Sequence, residues 1–135
     1  MPSSLRFVAM LLCGAVLAAA GSLWGLHVQS DADAAATARA LTGGDPHAGK
    51  AAVRRYGCGA CHQVGALTGI KGKVGPPLTG LAKRTELAGR LSNDPDSLIR
   101  WIRFPQAVVP GNGMPDQGLD EKTARDIAAY LYTVD

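Results

Sequence analysis

Aromatic side chains are scarce in this chain. Two Trp, three Tyr and two Phe make up only 5% of its 135 residues. At this length there is room for one domain plus an appendage, and so few large rings build a thin core from protein alone. That composition leaves room for a bulky apolar cofactor. Cysteine is scarcer still, with three residues: Cys13 lies in an apolar run, and Cys58 and Cys61 lie close together. No pair remains for a disulfide framework. Methionine also numbers three, and of Met1, Met10 and Met114 only the last lies outside the amino-terminal segment. The charge excess is small, 14 Lys and Arg against 11 Asp and Glu for a net +3. That is too mild to argue for nucleic acid. No stretch reads convincingly as a strand.

Phe7 to Leu26 is an uncharged apolar run, preceded by Arg6 and followed by Asp31 and Asp33. Two readings apply: a cleaved secretory signal with Ala18-Ala19-Ala20 at the cut, or an uncleaved helical anchor, since about 20 apolar residues span a bilayer. Apolar character continues past Ala20 through Leu23, Trp24 and Leu26, with Trp24 where an interfacial aromatic belongs. Length therefore favours the anchor. In both readings Arg6 stays inside and the rest of the chain is exported. Cys13 follows Leu12 rather than a small residue, so it reads as a small apolar residue of a membrane helix. The division expected is 1–28 as signal-anchor or signal peptide, 29–44 as a tether, partly helical through Ala34 to Leu41, and 45–135 as the soluble domain.

The residues with the most specific chemistry are Cys58-Gly59-Ala60-Cys61-His62. This C-x-x-C-H run is the attachment sequence for a c-type haem. Two thiols three positions apart reach the two vinyl groups of one porphyrin. The imidazole beside the second thiol is placed to bind the iron. Such haem is attached outside the cytoplasm, which agrees with the independently read export signal.

The domain reads as all-α. Asp45 and Pro46 open a helix as N-cap and first residue, with Ala52, Val53 and Tyr56 on one face and Gly49 placed for a close helix crossing. Gln63 to Pro77 is loop, and Thr79 to Leu81 forms one short turn. Pro95 to Phe104 is a helix capped by Asn93 or Asp94 and ended by Pro105. Gln106 to Gly118 is loop again, and a last helix runs from Asp120 through Val134. Three main helices and long loops around one covalent haem is the expected architecture, after an amino-terminal transmembrane or signal helix. A haem to pack against explains loops that a compact domain would otherwise not tolerate.

A six-coordinate electron-transfer haem needs a second axial ligand, and methionine sulfur is a common one. Met114 lies in the rigid loop Pro110-Gly111-Asn112-Gly113-Met114-Pro115. His62 and Met114 are therefore the expected iron ligands. His47 is the rival, but it stands too close before the motif to reach the far side of the ring. Three other classes make demands that the sequence meets less well. A thiol–disulfide oxidoreductase using Cys58 and Cys61 needs a thioredoxin-like βαβ context. A haem enzyme or gas sensor needs an open iron site. A zinc site is too crowded at Cys58, Cys61 and His62.

From about Asp45 onward the chain resembles class I c-type cytochromes of the mitochondrial type. The resemblance rests on Gly49, Tyr56, Cys58 to His62, Gly75-Pro76-Pro77-Leu78, Trp101 to Pro105, Pro110 to Met114 and Tyr130. It implies covalent attachment at Cys58 and Cys61. It also implies a Pro76 carbonyl accepting from the His62 ring, Arg84 pairing with a haem propionate, Asn112 donating to a propionate, and Trp101 beside the methionine. Gly49 and Tyr130 match a crossing of the first and last helices. The chain departs from that type in its apolar segment, in lacking several docking lysines, and in Pro115 after the methionine.

The function implied is a membrane-associated one-electron carrier of a bacterial respiratory chain, not an enzyme. Its expected partners are a quinol-oxidising complex and a terminal oxidase. The alternative is a haem c subunit of a larger oxidase or dehydrogenase. The expected location is the bacterial inner membrane with the haem domain in the periplasm, or the soluble periplasm after signal cleavage. Lys50 to Arg103 carries ten basic and three acidic residues, whereas Asp116 to Asp135 carries two and five. A basic field near the motif would steer an acidic partner.

Overall fold

The computed structural model describes residues 2–65, 67 and 72–134. Residues 66 and 68–71 of the expected loop 63–77 lie outside the described residues, as does 135. The chain divides into two units, Met1–Asp33 and Ala34–Asp135. Helix α1 (Ser3–Thr42) begins in the first unit, where its apolar side chains are unburied. Its most apolar window has a mean hydropathy of 2.1, so it is long and apolar enough to cross a membrane by length and composition.

Residues 29–42, expected as a tether with helix only through Ala34 to Leu41, are helical throughout. Alanine-rich sequence favours this, and the last turns are also packed. Ala38 and Thr42 are buried within the second unit, 2% and 1% exposed. The Thr42 hydroxyl donates to the Ala38 carbonyl and accepts from Gly44 N. Arg125 Nη1 donates to the Thr42 carbonyl at 2.9 Å.

Helix α2 (Pro46–Arg55) begins as its sequence dictates, with Asp45 accepting from His47 N and Pro46 in the first turn. Helix α3 (Pro95–Arg103) repeats the device, Asp94 accepting from Ser97 N. Helix α5 (Glu121–Leu131) does so with Asp120 and Thr123 N. Each cap satisfies an amide that the helix itself cannot. Pro105, expected only to end α3, instead opens a short helix α4 (Pro105–Val108). A proline suits a first helical turn as well as it blocks an interior.

The core lies where α2 crosses α5, and α3 packs on α5 from another side. Val53, Ala124, Ile127, Ala128 and Leu131 fill the crossing, and Leu98, Ile99 and Ile102 come from α3. A Cβ on Gly49 would fall on the Asp126 carbonyl and within 2.8 Å of Tyr130 Cβ. Only glycine permits this approach. The buried carboxylate of Asp126 accepts from Asp45 N and from Lys122 Nζ, both at 2.7 Å. It thus ties the start of α2 to α5.

Among the described residues the fold is all-α apart from one small hairpin that was not expected from the sequence. Strands β1 (Glu86–Leu87) and β2 (Leu91–Ser92) pair antiparallel, Glu86 opposite Ser92. Ala88, with φ +51, turns the chain between them. Asn93 anchors this hairpin, its amide donating to the Leu81 and Arg84 carbonyls at 2.7 and 2.8 Å.

Candidate functional site

The five-residue motif follows α2 directly. Gly57 takes the left-handed conformation, φ +68, which glycine adopts at little cost. It turns the chain out of α2 and into a 3-10 turn over Cys58–Ala60. Residues three apart eclipse in such a turn, so Cys58 and Cys61 are stacked on one side. His62 N closes it by donating to the Cys58 carbonyl at 3.0 Å.

The chain then returns along the motif. Gly75 N donates to the Cys61 carbonyl and Leu78 N to the Gln63 carbonyl, each at 2.8 Å. This lays 75–78 against 61–63. A Cβ on Gly75 would overlap the His62 ring, so glycine makes the slot in which the imidazole stands. His62 Nδ1 lies 2.7 Å from the Pro76 carbonyl. A carbonyl only accepts, so the proton is on Nδ1 and the Nε2 lone pair is left for a metal.

One cavity of about 400 Å³ collects all eight side chains singled out from sequence: Cys58, Cys61, His62, Pro76, Arg84, Trp101, Asn112 and Met114. Its remaining wall is largely apolar, with Val53, Leu81, Leu98, Ile102, Ile127 and Leu131. His47, the rival ligand, is exposed and does not line it. Burial pushes the Cys58 thiol above its ordinary pKa. A thiol–disulfide catalyst needs the opposite shift, and no βαβ unit occurs among the described residues.

The polar side chains differ in how they are engaged. The Arg84 guanidinium donates to the Pro77 carbonyl and to the Thr79 carbonyl at 3.2 Å. It has five hydrogens, so others remain for an anionic group. Asn112 is committed. Its amide donates to the Pro105 carbonyl at 2.8 Å and the Val109 carbonyl at 2.7 Å, and its Oδ1 accepts from Met114 N at 2.7 Å. With both amide hydrogens engaged, Asn112 serves its own loop in this geometry rather than reaching toward a propionate.

Two features of the site were missed from sequence. The hairpin contributes Glu86, Leu87 and Ala88 to the cavity wall. Gln106 holds the Met114 loop through hydrogen bonds to Asn112 and Met114. A faint sequence signal marks the hairpin, in Ala88-Gly89 between two leucines. None marks Gln106.

Two thiols, an imidazole and a thioether around one apolar cavity are the donor set for covalently held haem. Comparison with known proteins agrees. The family model for cytochrome c matches residues 46–135. The chain is 37% identical over 103 residues to cytochrome c2 of Rhodoblastus acidophilus, covering 65% of this chain and 91% of that one. It is 36% identical to cytochrome c2 of Rhodopila globiformis, covering 67% and 94%. It is also 34% identical over 84 residues to cytochrome c oxidase subunit 2 of Alkalihalophilus pseudofirmus. That match takes 62% of this chain but spans only 24% of the longer subunit. The chain therefore belongs to the cytochrome c family as a class I c-type cytochrome, an electron carrier with covalently bound haem c rather than an enzyme.

Proposed function

We propose that this chain is a membrane-anchored mono-haem carrier of a bacterial respiratory chain, exposed to the periplasm and passing single electrons from a quinol-oxidising complex to a terminal oxidase. The observation that carries the reading is the meeting of His62 and Met114 with both motif thiols in one apolar cavity. Cys58 and Cys61 would hold the haem by thioether bonds, and His62 Nε2 and Met114 Sδ would be the ligands to its iron. The haem supplies a one-electron Fe(II)/Fe(III) couple.

The chain's own residues do the rest. The Pro76 carbonyl, 2.7 Å from His62 Nδ1, fixes the ring plane and makes the imidazole more basic. Met114 contributes a neutral, polarizable sulfur that favours the reduced state. Leu98, Ile102, Ile127 and Leu131 exclude water from the cavity, which also raises the potential by disfavouring the more charged oxidised state. With His62 and Met114 both holding the iron, no site on it would be left for a substrate. The apolar part of α1 supports an anchor, which would keep the carrier at high local concentration near its partners.

The test is the visible spectrum of the oxidised protein. A weak far-red band from sulfur on ferric iron is expected, and it should vanish in Met114→Ala while covalent haem remains. A high-spin spectrum in the unaltered protein would instead mean an open iron site. A second reading, that this is a haem c subunit of an oxidase, draws on the similarity to cytochrome c oxidase subunit 2. Stable co-purification with other oxidase chains would favour it over a separate carrier.

A further inference from the structure

The segment that carries Met114 has no helix or strand of its own between Val108 and Glu121. Its backbone must find other hydrogen-bond partners, and two amide side chains supply them. Gln106 Nε2 donates to the Asn112 carbonyl at 2.9 Å and to the Met114 carbonyl at 2.7 Å. Its Oε1 accepts from Gly111 N at 3.1 Å. One side chain from α4 thus grips three points of the loop. Asn112 grips from the other direction. Its amide holds the Pro105 and Val109 carbonyls, while Oδ1 takes Met114 N. Both backbone polar groups of Met114 are therefore bound by a side-chain amide, one by each residue.

We propose that Gln106, clasped with Asn112, is a positioning residue for the Met114 sulfur: it holds the ligand loop shut over the cavity and so keeps small competing ligands off the iron. This rests on the reading of Met114 as an axial ligand. Gln106 itself does not line the cavity, so its effect passes through the loop. The base of the clasp is fixed, since Gln106 belongs to α4 and its own N–H donates to Asp116 Oδ1 at 3.3 Å. Opening the loop means breaking three hydrogen bonds made by one side chain. A closed loop with those bonds and an open loop without them differ in population by at least about tenfold.

Imidazole is the probe, because it binds ferric iron only when the sulfur has left. In the haem-bearing full chain, Gln106→Leu should bind imidazole about tenfold more tightly than the unaltered protein. The far-red band should be lost at correspondingly lower imidazole. The helical circular dichroism melt should change little, which a merely structural role would not predict. Unchanged imidazole affinity in Gln106→Leu, with the band lost in Met114→Ala, overturns the clasp and leaves the ligand reading intact. A band that survives Met114→Ala overturns both. If Gln106→Leu does not assemble, Gln106→Glu carries the test. It keeps the length of the side chain and the acceptor for Gly111 N, but cannot donate to either carbonyl as a carboxylate, and the same tenfold change is expected. Failure of both variants to fold overturns the proposal in favour of a purely structural role.

Discussion

Gly49 is a single atom group on which the domain closes, because its missing side chain is the space that the Asp126 carbonyl occupies. Gly49→Ala gains helix propensity of about 1 kcal/mol but forces the two helices apart. Overpacking of this kind costs about 1–3 kcal/mol, and more against backbone. We expect a net loss of about 2 kcal/mol, seen as a fall of about 10 °C in the thermal midpoint. The purpose of Gly49 was legible in sequence, since a glycine on the apolar face of a helix asks for a close neighbour. That His62 and Met114 would meet at one cavity was legible too, because their chemistry is unusual enough to stand out. Gln106 was not legible. A lone glutamine beside a proline has no period and no motif, and its importance exists only once the Met114 loop has curled around it.

At the level of the elements, α2, α3 and α5 share one starting device. Asp45, Asp94 and Asp120 each cap a helix, and each carboxyl is held below its ordinary pKa, first of all by the backbone N–H it accepts, from His47, Ser97 and Thr123 respectively. A carboxylate with a depressed pKa in the folded state contributes stability that is complete above the unfolded value of about 4. That contribution is lost as pH falls through the folded value. Thermal melts should therefore be flat down to about pH 5 and then fall. Replacing all three by Asn, an equally good N-cap when neutral, should flatten the acid limb. These helices were readable because cap and apolar period agree at each start, with a proline in the first turn of α2 and α3 as well. The hairpin was not readable, because strands of two residues are too short to show alternation. Helix α4 was hidden by the double meaning of proline, which ends one helix at Pro105 and begins the next.

At the level of the whole molecule, the folded unit begins at Ala34 rather than at residue 45. Buried Ala38 and Thr42, and the bond from Arg125 to the Thr42 carbonyl, make the last turns of α1 part of the domain. A chain beginning at residue 34 should leave the membrane fraction and keep its melting midpoint. One beginning at residue 45 should melt about 10 °C lower, for about 2 kcal/mol of lost packing and hydrogen bonding. Fractionation and circular dichroism measure both. The docking of the last turn of α1 was illegible because the bond to the Thr42 carbonyl comes from Arg125, far along the chain. That same dependence on distant sequence governs how the molecule comes to exist. The crossing at Gly49 joins the first helix of the domain to its last. Contacts so far apart in sequence demand a costly loop closure before they return anything. As the chain is made, α2 and the haem-binding motif come before α5, and their apolar faces have no partner until that last helix has been added. Until then the two thiols belong to an open, sticky chain rather than to the wall of a formed cavity, since that wall needs Ile127 and Leu131 from the final helix.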